Sequence, residues 1–353
     1  MVETTSRQRL PLELVTGFLG SGKTTLINAV LRDAAFAGAM VIVNEFGEVG
    51  LDHLLISSAE DQVLLLDSGC LCCAVSGSLR DTLIDLFSRR SSGGVGPFDR
   101  LIVETSGLAN PAPLVASLLG DSALTPRCGL SQVLTLVDAV NGPDTLARYQ
   151  EAQRQVAFAD RLLVTKTDLA TAAQIQETQR ALAALNPHVP VGQWMRGDAP
   201  AQHFTAEIRA PRTDASPLPP FLRGALRPQY ADDTSATHGQ AFAQIATHVL
   251  RIPHAVEWAG YAAWSDAVRR RFGKRLLRCK GLLPIGDGPP WVVQGVQGYF
   301  APPVRLDAPG APEMANTAAG YLVCIGEGLG RDELNETLAL LGAGLTSERK
   351  PAS

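Results

Sequence analysis

The segment GFLGSGKT, residues 17–24, matches the pattern G-x-x-x-x-G-K-[ST], and this segment decides the fold. Glycines let the backbone of such a loop curl so that its N–H groups point inward at phosphate oxygens. Lys23 then reaches the β- and γ-phosphates of a nucleotide, and the Thr24 hydroxyl binds Mg²⁺. An apolar run precedes the motif and a helical pattern follows it, which is the context that a phosphate-binding loop requires. The candidate nucleotide-binding residues of this loop are Gly17, Gly20, Ser21, Gly22, Lys23, Thr24 and Thr25.

Short apolar runs alternate with helix-length segments on both sides of this loop. The apolar runs lie at residues 12–15, 40–43, 63–66, 101–103, 133–137 and 162–164, and helical segments include residues 23–32, 78–89 and 170–185. Such βα units predict an α/β fold, a P-loop NTPase with a doubly wound, mostly parallel sheet. Ligands bind these sheets beyond the carboxyl ends of the strands, and every motif described below follows a strand.

The rest of the chain predicts a second, smaller domain. The 353 residues exceed the length of one typical domain. Residues 196–237 contain six prolines and little periodicity, which favours a linker. We therefore predict a P-loop domain at residues 1–195, a Pro-rich linker at 196–237, an α+β domain at 238–345 and a frayed tail at 346–353.

A second acidic partner for Mg²⁺ is expected after another strand. The sequence LIVETSG at residues 101–107 places Glu104 at a strand end and Gly107 three residues later. Glu104 is our candidate for binding the ion, and Gly107 lets the backbone approach a γ-phosphate. A charged strand terminus without a ligand is the alternative, and the neighbouring phosphate loop makes it less favoured.

The sequence TKTD, residues 165–168, indicates a guanine site. The Asp168 carboxylate can accept hydrogen bonds from guanine N1–H and the exocyclic amine, a donor pair that adenine lacks. The stem of Lys166 can cover the face of the base. Thr165 stands where the motif N-K-x-D has asparagine, so we expect a looser base selectivity.

The sequence NEFGEVG, residues 44–50, follows the second strand, where a switch loop of a P-loop protein reaches Mg²⁺ and the γ-phosphate. Glu45, Glu48 and Asp52 can position a water or bind a metal. A solvated acidic loop is an equally good interpretation from the residues alone.

Three of the six cysteines, Cys70, Cys72 and Cys73, lie within four residues. Their clustering in a chain without a secretory signal favours a metal or redox site over structural disulfides. Thiolates bind Zn²⁺ and other soft or borderline cations. In an extended segment Cys70 and Cys72 share a face and Cys73 points away, so either a turn brings three thiols together or two bind with oxygen ligands.

Composition excludes several classes of protein. The net charge of −4 argues against a general nucleic-acid binder. No apolar run approaches the ~20 residues of a membrane helix, and the N-terminus has no apolar core of a secretory signal. We expect a cytoplasmic protein that binds neither nucleic acid nor membrane.

Five segments together resemble the CobW-like G3E GTPases: GFLGSGKTTL (17–26), NEFGEVGLD (44–52), GCLCC (69–73), ETSGLANP (104–111) and TLVDA (135–139). The later segments LLRCKG (276–281) and QGVQ (294–297) resemble that family's C-terminal domain. The C-x-C-C motif between the switch loop and the strand ending at Glu104 is highly specific, since ordinary P-loop enzymes lack it.

The resemblance implies a metallochaperone, or an insertase of metal cofactors, that hydrolyses GTP slowly. It implies Zn²⁺ or Co²⁺ at the C-x-C-C motif and transfer of the ion to a client metalloprotein of unknown identity, and it leaves a homodimer open. The resemblance implies that Lys23, Thr24 and Glu104 hold nucleotide and Mg²⁺, that Thr165, Lys166 and Asp168 read guanine, and that Cys70, Cys72 and Cys73 bind the second metal. Our candidate catalytic residues are Lys23, Glu48 and Glu104. Gly107 is a further candidate nucleotide ligand, and Glu45 and Glu48 are the candidate oxygen ligands of the second metal.

Two other functions are compatible with these motifs. The protein can be a GTPase assembly or switch factor that delivers an organic cofactor, with cysteines that are redox-active. It can also be an ATP-dependent kinase, although TKTD argues against adenine. In the favoured mechanism GTP and Mg²⁺ order residues 44–50 over the cysteines, and hydrolysis releases the metal.

Overall fold

The computed structural model describes residues 9–44, 63–66, 74–204, 245–305 and 320–342. The chain divides into two compact units, the first with residues 1–184 and 189–209, the second with residues 185–188 and 210–353. In the described ranges no helix combines the length and the apolar character needed to span a membrane.

A parallel sheet organises the first unit. Its described strands are β1 (Leu10–Gly17), β2 (Ala39–Asn44), β3 (Val63–Leu66), β4 (Arg100–Glu104), β5 (Cys128–Asp138), β6 (Arg161–Thr165) and β7 (Val191–Trp194). Their order across the sheet is β3-β2-β4-β1-β5-β6-β7, and each neighbouring pair is parallel. Strands β4, β1, β5 and β6 are adjacent, so the loops after their carboxyl ends meet at one edge of the sheet.

Helices connect these strands, as a parallel sheet requires. They are α1 (Lys23–Arg32), α2 (Ala74–Ser92), α3 (Pro111–Gly120), α4 (Gly142–Arg148), α5 (Gln150–Phe158) and α6 (Ala172–Leu185). Helix α3 has proline at its first position, and the Asn110 side chain caps its N-terminus by accepting from the Ala112 N–H at 3.0 Å. One side of the sheet packs against α1 through a core that includes Val15, Leu26 and Ile102.

The predicted α/β sheet is confirmed, and each predicted strand of the first half has a counterpart. Strand β7 was not predicted, because its four residues include glycine and lie next to the Pro-rich region. Residues 196–204, which the sequence assigned to the linker, belong to the first unit. The Phe204 ring packs edge-on against Phe36 with centroids 5.1 Å apart, and the Gln132 side chain donates to the His203 carbonyl.

The second unit is an α+β domain with an antiparallel sheet, also as predicted. Its described strands are β8 (Ile245–Ile252), β9 (Leu276–Leu283), β10 (Trp291–Val296), β11 (Tyr299–Phe300), β12 (Val304–Arg305) and β13 (Gly320–Glu327). The order is β11-β10-β9-β13-β8, with β12 also paired to β10. Helices α7 (Trp258–Phe272) and α8 (Arg331–Leu338) contribute Trp264, Val268 and Leu334 to a core that covers one face of this sheet.

Candidate nucleotide-binding site

The loop between β1 and α1 has the backbone that a phosphate-binding loop needs. Gly17, Gly20 and Gly22 have φ angles of 146°, 73° and 92°, a region that side chains with a Cβ rarely adopt. Gly22 is the N-cap residue of α1, and no side chain caps this end of the helix. The amides of the first turn are therefore available to an anion.

Lys23 lies inside this loop. Its ammonium donates to the Gly17 carbonyl at 2.9 Å and to the Phe18 carbonyl at 3.2 Å, and the residue is 9% exposed. These bonds hold a buried cation at the concave side of the loop, where phosphate oxygens bind in such motifs. Ser21 is also buried, whereas Thr25 is exposed on the first turn of α1.

Thr24 and Glu104 form a pair of hard oxygen ligands beside the loop. The Thr24 hydroxyl donates to the Glu104 carboxylate at 3.3 Å, and Glu104 ends β4 with 5% of its surface exposed. A hydroxyl and a carboxylate at this separation fit Mg²⁺, which prefers oxygen ligands and keeps several waters. The two predicted magnesium ligands therefore lie next to each other, although they are 80 residues apart in sequence.

Gly107 brings the loop after β4 against the phosphate loop. A Cβ at this position would lie 2.8 Å from the Leu19 N and 2.6 Å from the Leu19 side chain. Only glycine fits this approach to the phosphate loop, and the predicted approach of its backbone to a γ-phosphate stays a prediction. Gln155 of α5, which the sequence analysis did not single out, donates to the carbonyls of Gly107 and Ala109.

Thr165 connects the predicted guanine loop to the phosphate loop. Its hydroxyl donates to the Ser21 carbonyl at 2.8 Å and also lies 3.4 Å from the Val137 carbonyl. Thr165 is 2% exposed and ends β6, so its side chain lies inside the protein. Its contacts tie the two loops together, and the looser base selectivity expected from the missing asparagine stays a prediction.

Lys166 has a φ of 55°, an unusual backbone for a residue with a side chain. Its ammonium donates to the Asp138 carboxylate at 2.8 Å, and Asp138 also accepts from the Val140 N–H and the Asn141 side chain. Burial alone would raise the pKa of Asp138, but the hydrogen bonds from Lys166, Asn141 and Val140 lower it below its usual value. Asp168, two residues after Lys166, is exposed and accessible to a ligand.

Asp138 is the second residue that the sequence analysis missed. It lies in the TLVDA segment at the end of β5, a segment that contributes to the family resemblance. Its signal was its position, because an acidic residue at a strand end of this sheet lies at the ligand-binding edge. Gln155 carried no signal, since a glutamine within a helix is ordinarily solvated.

The remaining predicted residues, Glu45, Glu48, Cys70, Cys72 and Cys73, lie outside the described residues, as does Asp52. Within the described ranges no group of three His, Cys, Asp or Glu side chains is arranged to hold a metal ion. The described cysteines, Cys128, Cys279 and Cys324, are buried and free. The predicted second metal site thus rests on the sequence motif.

Comparisons with known proteins match both units. A family model described as the CobW/HypB/UreG nucleotide-binding domain matches residues 11–193, and one for the cobalamin synthesis protein CobW C-terminal domain matches residues 245–341. The zinc chaperone YjiA of Escherichia coli is 32% identical over 334 residues, covering 94% of this chain and 98% of YjiA. The zinc-regulated GTPase metalloprotein activator 1 of Schizosaccharomyces pombe is 25% identical, covering 82% of this chain and 76% of the relative. A crystal structure of Zn(II)-bound YjiA GTPase from E. coli shares the fold, with a TM-score of 0.60 at 24% identity over 95% of this chain and 99% of YjiA.

Proposed function

Because the chain belongs to the CobW/HypB/UreG family of nucleotide-binding domains, we propose that it is a GTP-hydrolysing metallochaperone. It binds Zn²⁺ or Co²⁺ at the C-x-C-C motif of residues 70–73 and transfers the ion to a client metalloprotein. The full-length similarity to a protein named a zinc chaperone supports the class of function. A cytoplasmic location and a homodimer belong to the same proposal.

The observation that supports nucleotide hydrolysis most directly is the meeting of four loops at one edge of the sheet. The phosphate loop follows β1, the Gly107 loop follows β4, Asp138 ends β5 and Lys166 follows β6. Phosphate, magnesium and base ligands are thereby available along one continuous edge. The Asp138–Lys166 ion pair fixes the lysine ammonium, and the exposed Asp168 follows two residues later, so the lysine stem is proposed to cover a guanine base that Asp168 selects.

Each residue then has one role in the reaction. Lys23 exchanges the Gly17 and Phe18 carbonyls for phosphate oxygens, and the amides at the start of α1 bind the same phosphates. Thr24 and Glu104 hold Mg²⁺, which when bound neutralises charge on the β- and γ-phosphates. Glu48 is proposed to orient the attacking water, and Asp168 selects guanine. A slow rate is part of this proposal.

The metal is the cargo in this proposal and not a resident cofactor. Cys70, Cys72 and Cys73 are the proposed ligands, with Glu45 or Glu48 as oxygen neighbours. These acidic residues belong to the segment that follows β2, and the cysteines follow β3, which is paired in parallel with β2. Both segments therefore begin at the same edge of the sheet as the nucleotide loops.

Co²⁺ titration tests the proposal, because thiolate ligation gives charge-transfer absorption and tetrahedral d–d bands. Cys72→Ser should remove most of this signal in the presence of Mg-GTP. Cys128→Ser is the matched control, since Cys128 is buried in β5 and should leave the spectrum unchanged. If Cys70→Ser and Cys72→Ser both bind Co²⁺ as tightly as the unaltered protein, the metallochaperone proposal fails and a redox or assembly GTPase replaces it.

A further inference from the structure

We propose that Gln155, on the buried side of α5, is a positioning residue for GTP hydrolysis. Its side-chain amide holds the loop after β4 so that the Gly107 N–H faces the γ-phosphate. The inference rests on the proposed GTPase function, and it assigns a role to a residue outside all of the nucleotide motifs.

The Gln155 side chain makes two hydrogen bonds to one loop. Its Nε2 donates to the Gly107 carbonyl at 3.1 Å and to the Ala109 carbonyl at 3.0 Å. Both neighbours are acceptors, so the NH₂ group and not the oxygen must face them. With 1% of its surface exposed, Gln155 makes these bonds away from water.

The loop that Gln155 holds has its carbonyls directed into the protein. The Ala109 N–H donates to the Ser106 carbonyl at 3.1 Å, which closes a turn over Gly107. A trans peptide directs its N–H opposite to its carbonyl, so the Gly107 N–H points away from the Ser106 carbonyl and this turn. Within the described residues this N–H donates to no acceptor, and Gly107 packs against Leu19 of the phosphate loop.

Gln155 is itself fixed to the central sheet. Its backbone carbonyl accepts a hydrogen bond from the Thr135 hydroxyl of β5 at 3.0 Å. Strand β5 pairs along its length with β1, the strand that leads into the phosphate loop. The amide therefore gives the Gly107 loop a fixed position relative to the phosphate loop.

The choice of glutamine here has a cost in stability. Among the described residues the buried Gln155 Oε1 has no hydrogen-bond partner, and burying an amide is less favourable than burying an apolar side chain of similar size. A methionine of similar length would fill the same volume without that cost. The side chain is therefore better explained by the two carbonyls that it binds than by packing alone.

Gln153 provides a matched control on the same helix. It is also buried, and its Nε2 donates to the Leu146 carbonyl at 2.7 Å, at the end of α4 and not in a nucleotide loop. Gln153→Met and Gln155→Met thus both remove buried amide donors from backbone carbonyls. Only Gln155→Met removes donors to carbonyls of the Gly107 loop, because the partner of Gln153 lies in α4.

The test measures the affinities of a non-hydrolysable GTP analogue and of GDP, together with kcat and thermal unfolding. Gln155→Met should lower kcat and the ratio of analogue to GDP affinity each about tenfold, which corresponds to about 1.4 kcal/mol. GDP affinity should stay unchanged, because GDP lacks the γ-phosphate. Gln153→Met should lower the unfolding temperature similarly and leave both nucleotide readouts unchanged.

The other possible results distinguish a structural role of Gln155 from a failure of the proposed GTPase function. If Gln155→Met loses stability but keeps the affinity ratio and kcat, Gln155 is structural only and the inference is overturned. If the unaltered protein binds no GTP analogue, the proposed GTPase function fails instead. If Gln155→Met does not fold, Gln155→Asn takes its place, because an amide one methylene shorter cannot reach both carbonyls, and the same ratio is measured.

Discussion

At the scale of single residues, the Thr165 hydroxyl connects the phosphate loop to the loop that is proposed to bind guanine. Thr165→Val keeps the shape of the side chain and removes the donor to the Ser21 carbonyl. A buried carbonyl that loses its partner costs about 1–3 kcal/mol, so we expect both GTP affinity and the free energy of unfolding to fall. Fluorescent-nucleotide titration and urea unfolding measure the two effects.

Thr165→Ser is the control for this change, since it keeps the hydroxyl and should bind GTP nearly as well as the unaltered protein. The preference for GTP over xanthosine triphosphate should stay the same in the Val variant, because the Thr165 hydroxyl already donates to the Ser21 carbonyl. A changed base preference would mean that Thr165 reads guanine, in contradiction to its contacts with Ser21 and Val137.

The Asp138–Lys166 pair predicts a pH dependence of stability. Hydrogen bonds lower the pKa of Asp138 in the folded protein below its ordinary value of 3.8. A lowered pKa stabilises the fold above the unfolded-state pKa, and this contribution is lost as the pH falls through the folded-state value. Asp138→Asn should therefore be less stable than the unaltered protein at pH 7, by about 1 kcal/mol because Lys166 is partly exposed.

The difference between the two proteins should shrink below about pH 4, where the carboxylate of the unfolded chain becomes protonated. Urea unfolding at a series of pH values measures it. Asp144→Asn, which changes an exposed carboxylate of α4, is the control and should give a small difference with no such decline. A constant difference for Asp138→Asn across this range would contradict the assigned ion pair.

The sequence singled out those candidate residues whose type is dictated by a ligand. Lys23, Thr24 and Glu104 belong to a motif or to a strand end, and the structure places the Thr24 hydroxyl against Glu104. Asp138 and Gln155 act through other protein groups, and their partners are 28 and 48 residues distant in sequence. Such pairs depend on strand order, which periodicity does not specify.

At the scale of elements, strands with continuous apolar runs were predicted well, because both faces of a parallel sheet are buried. Strand β9 of the antiparallel second sheet departs from this pattern, since all eight residues from Leu276 to Leu283 are buried although Arg278 and Lys280 interrupt the apolar run. Strand β7 was missed because it has four residues with an exposed, partly polar pattern at the sheet edge. Its pairing with β6 stabilises it, and that partner is invisible in the local sequence.

The three described cysteines are buried in the two sheets, and this burial predicts that their thiols react slowly. Cys279 and Cys324 lie opposite each other on β9 and β13, with their sulfur atoms 3.5 Å apart. The hydrogen bond with Cys324, then burial, raise the pKa of Cys279 well above its usual value. In the first unit, burial raises the pKa of Cys128 to about 11. Cys279 and Cys324 are 0% exposed and Cys128 is 4% exposed, so a reagent in solution does not reach these sulfur atoms and all three should resist alkylation in the folded protein.

Mass spectrometry after iodoacetamide treatment at pH 8 measures this protection residue by residue. Treatment in denaturant is the control and should label all six cysteines. Labelling of Cys279 or Cys324 under native conditions would mean that the core of the second unit opens readily. If the protection holds, thiol reactivity in the native protein reports on residues 70–73 alone, which makes it a direct probe of the proposed metal site.

At the scale of the whole molecule, the proposal requires that nucleotide and metal bind to one coupled system. If Mg-GTP tightens metal binding by some factor, metal must tighten GTP binding by the same factor. We expect a coupling of about 5–150-fold, the range of 1–3 kcal/mol seen for linked sites. Four titrations measure this thermodynamic cycle. Co²⁺ is titrated with and without a non-hydrolysable GTP analogue, and the analogue is titrated with and without Co²⁺.

Variants at the nucleotide site and at the proposed metal site should each remove one half of this coupling. Lys23→Ala should abolish analogue binding, since Lys23 supplies the cation inside the phosphate loop, and it should leave the Co²⁺ affinity at the value measured without nucleotide. Cys72→Ser should leave analogue affinity at the value measured without metal. Metal affinity should also rise with pH from about 6 to 8.5, because thiols release protons when they bind. Equal Co²⁺ affinities with and without the analogue would show that GTP does not control the metal, and hydrolysis would then need a purpose other than metal release.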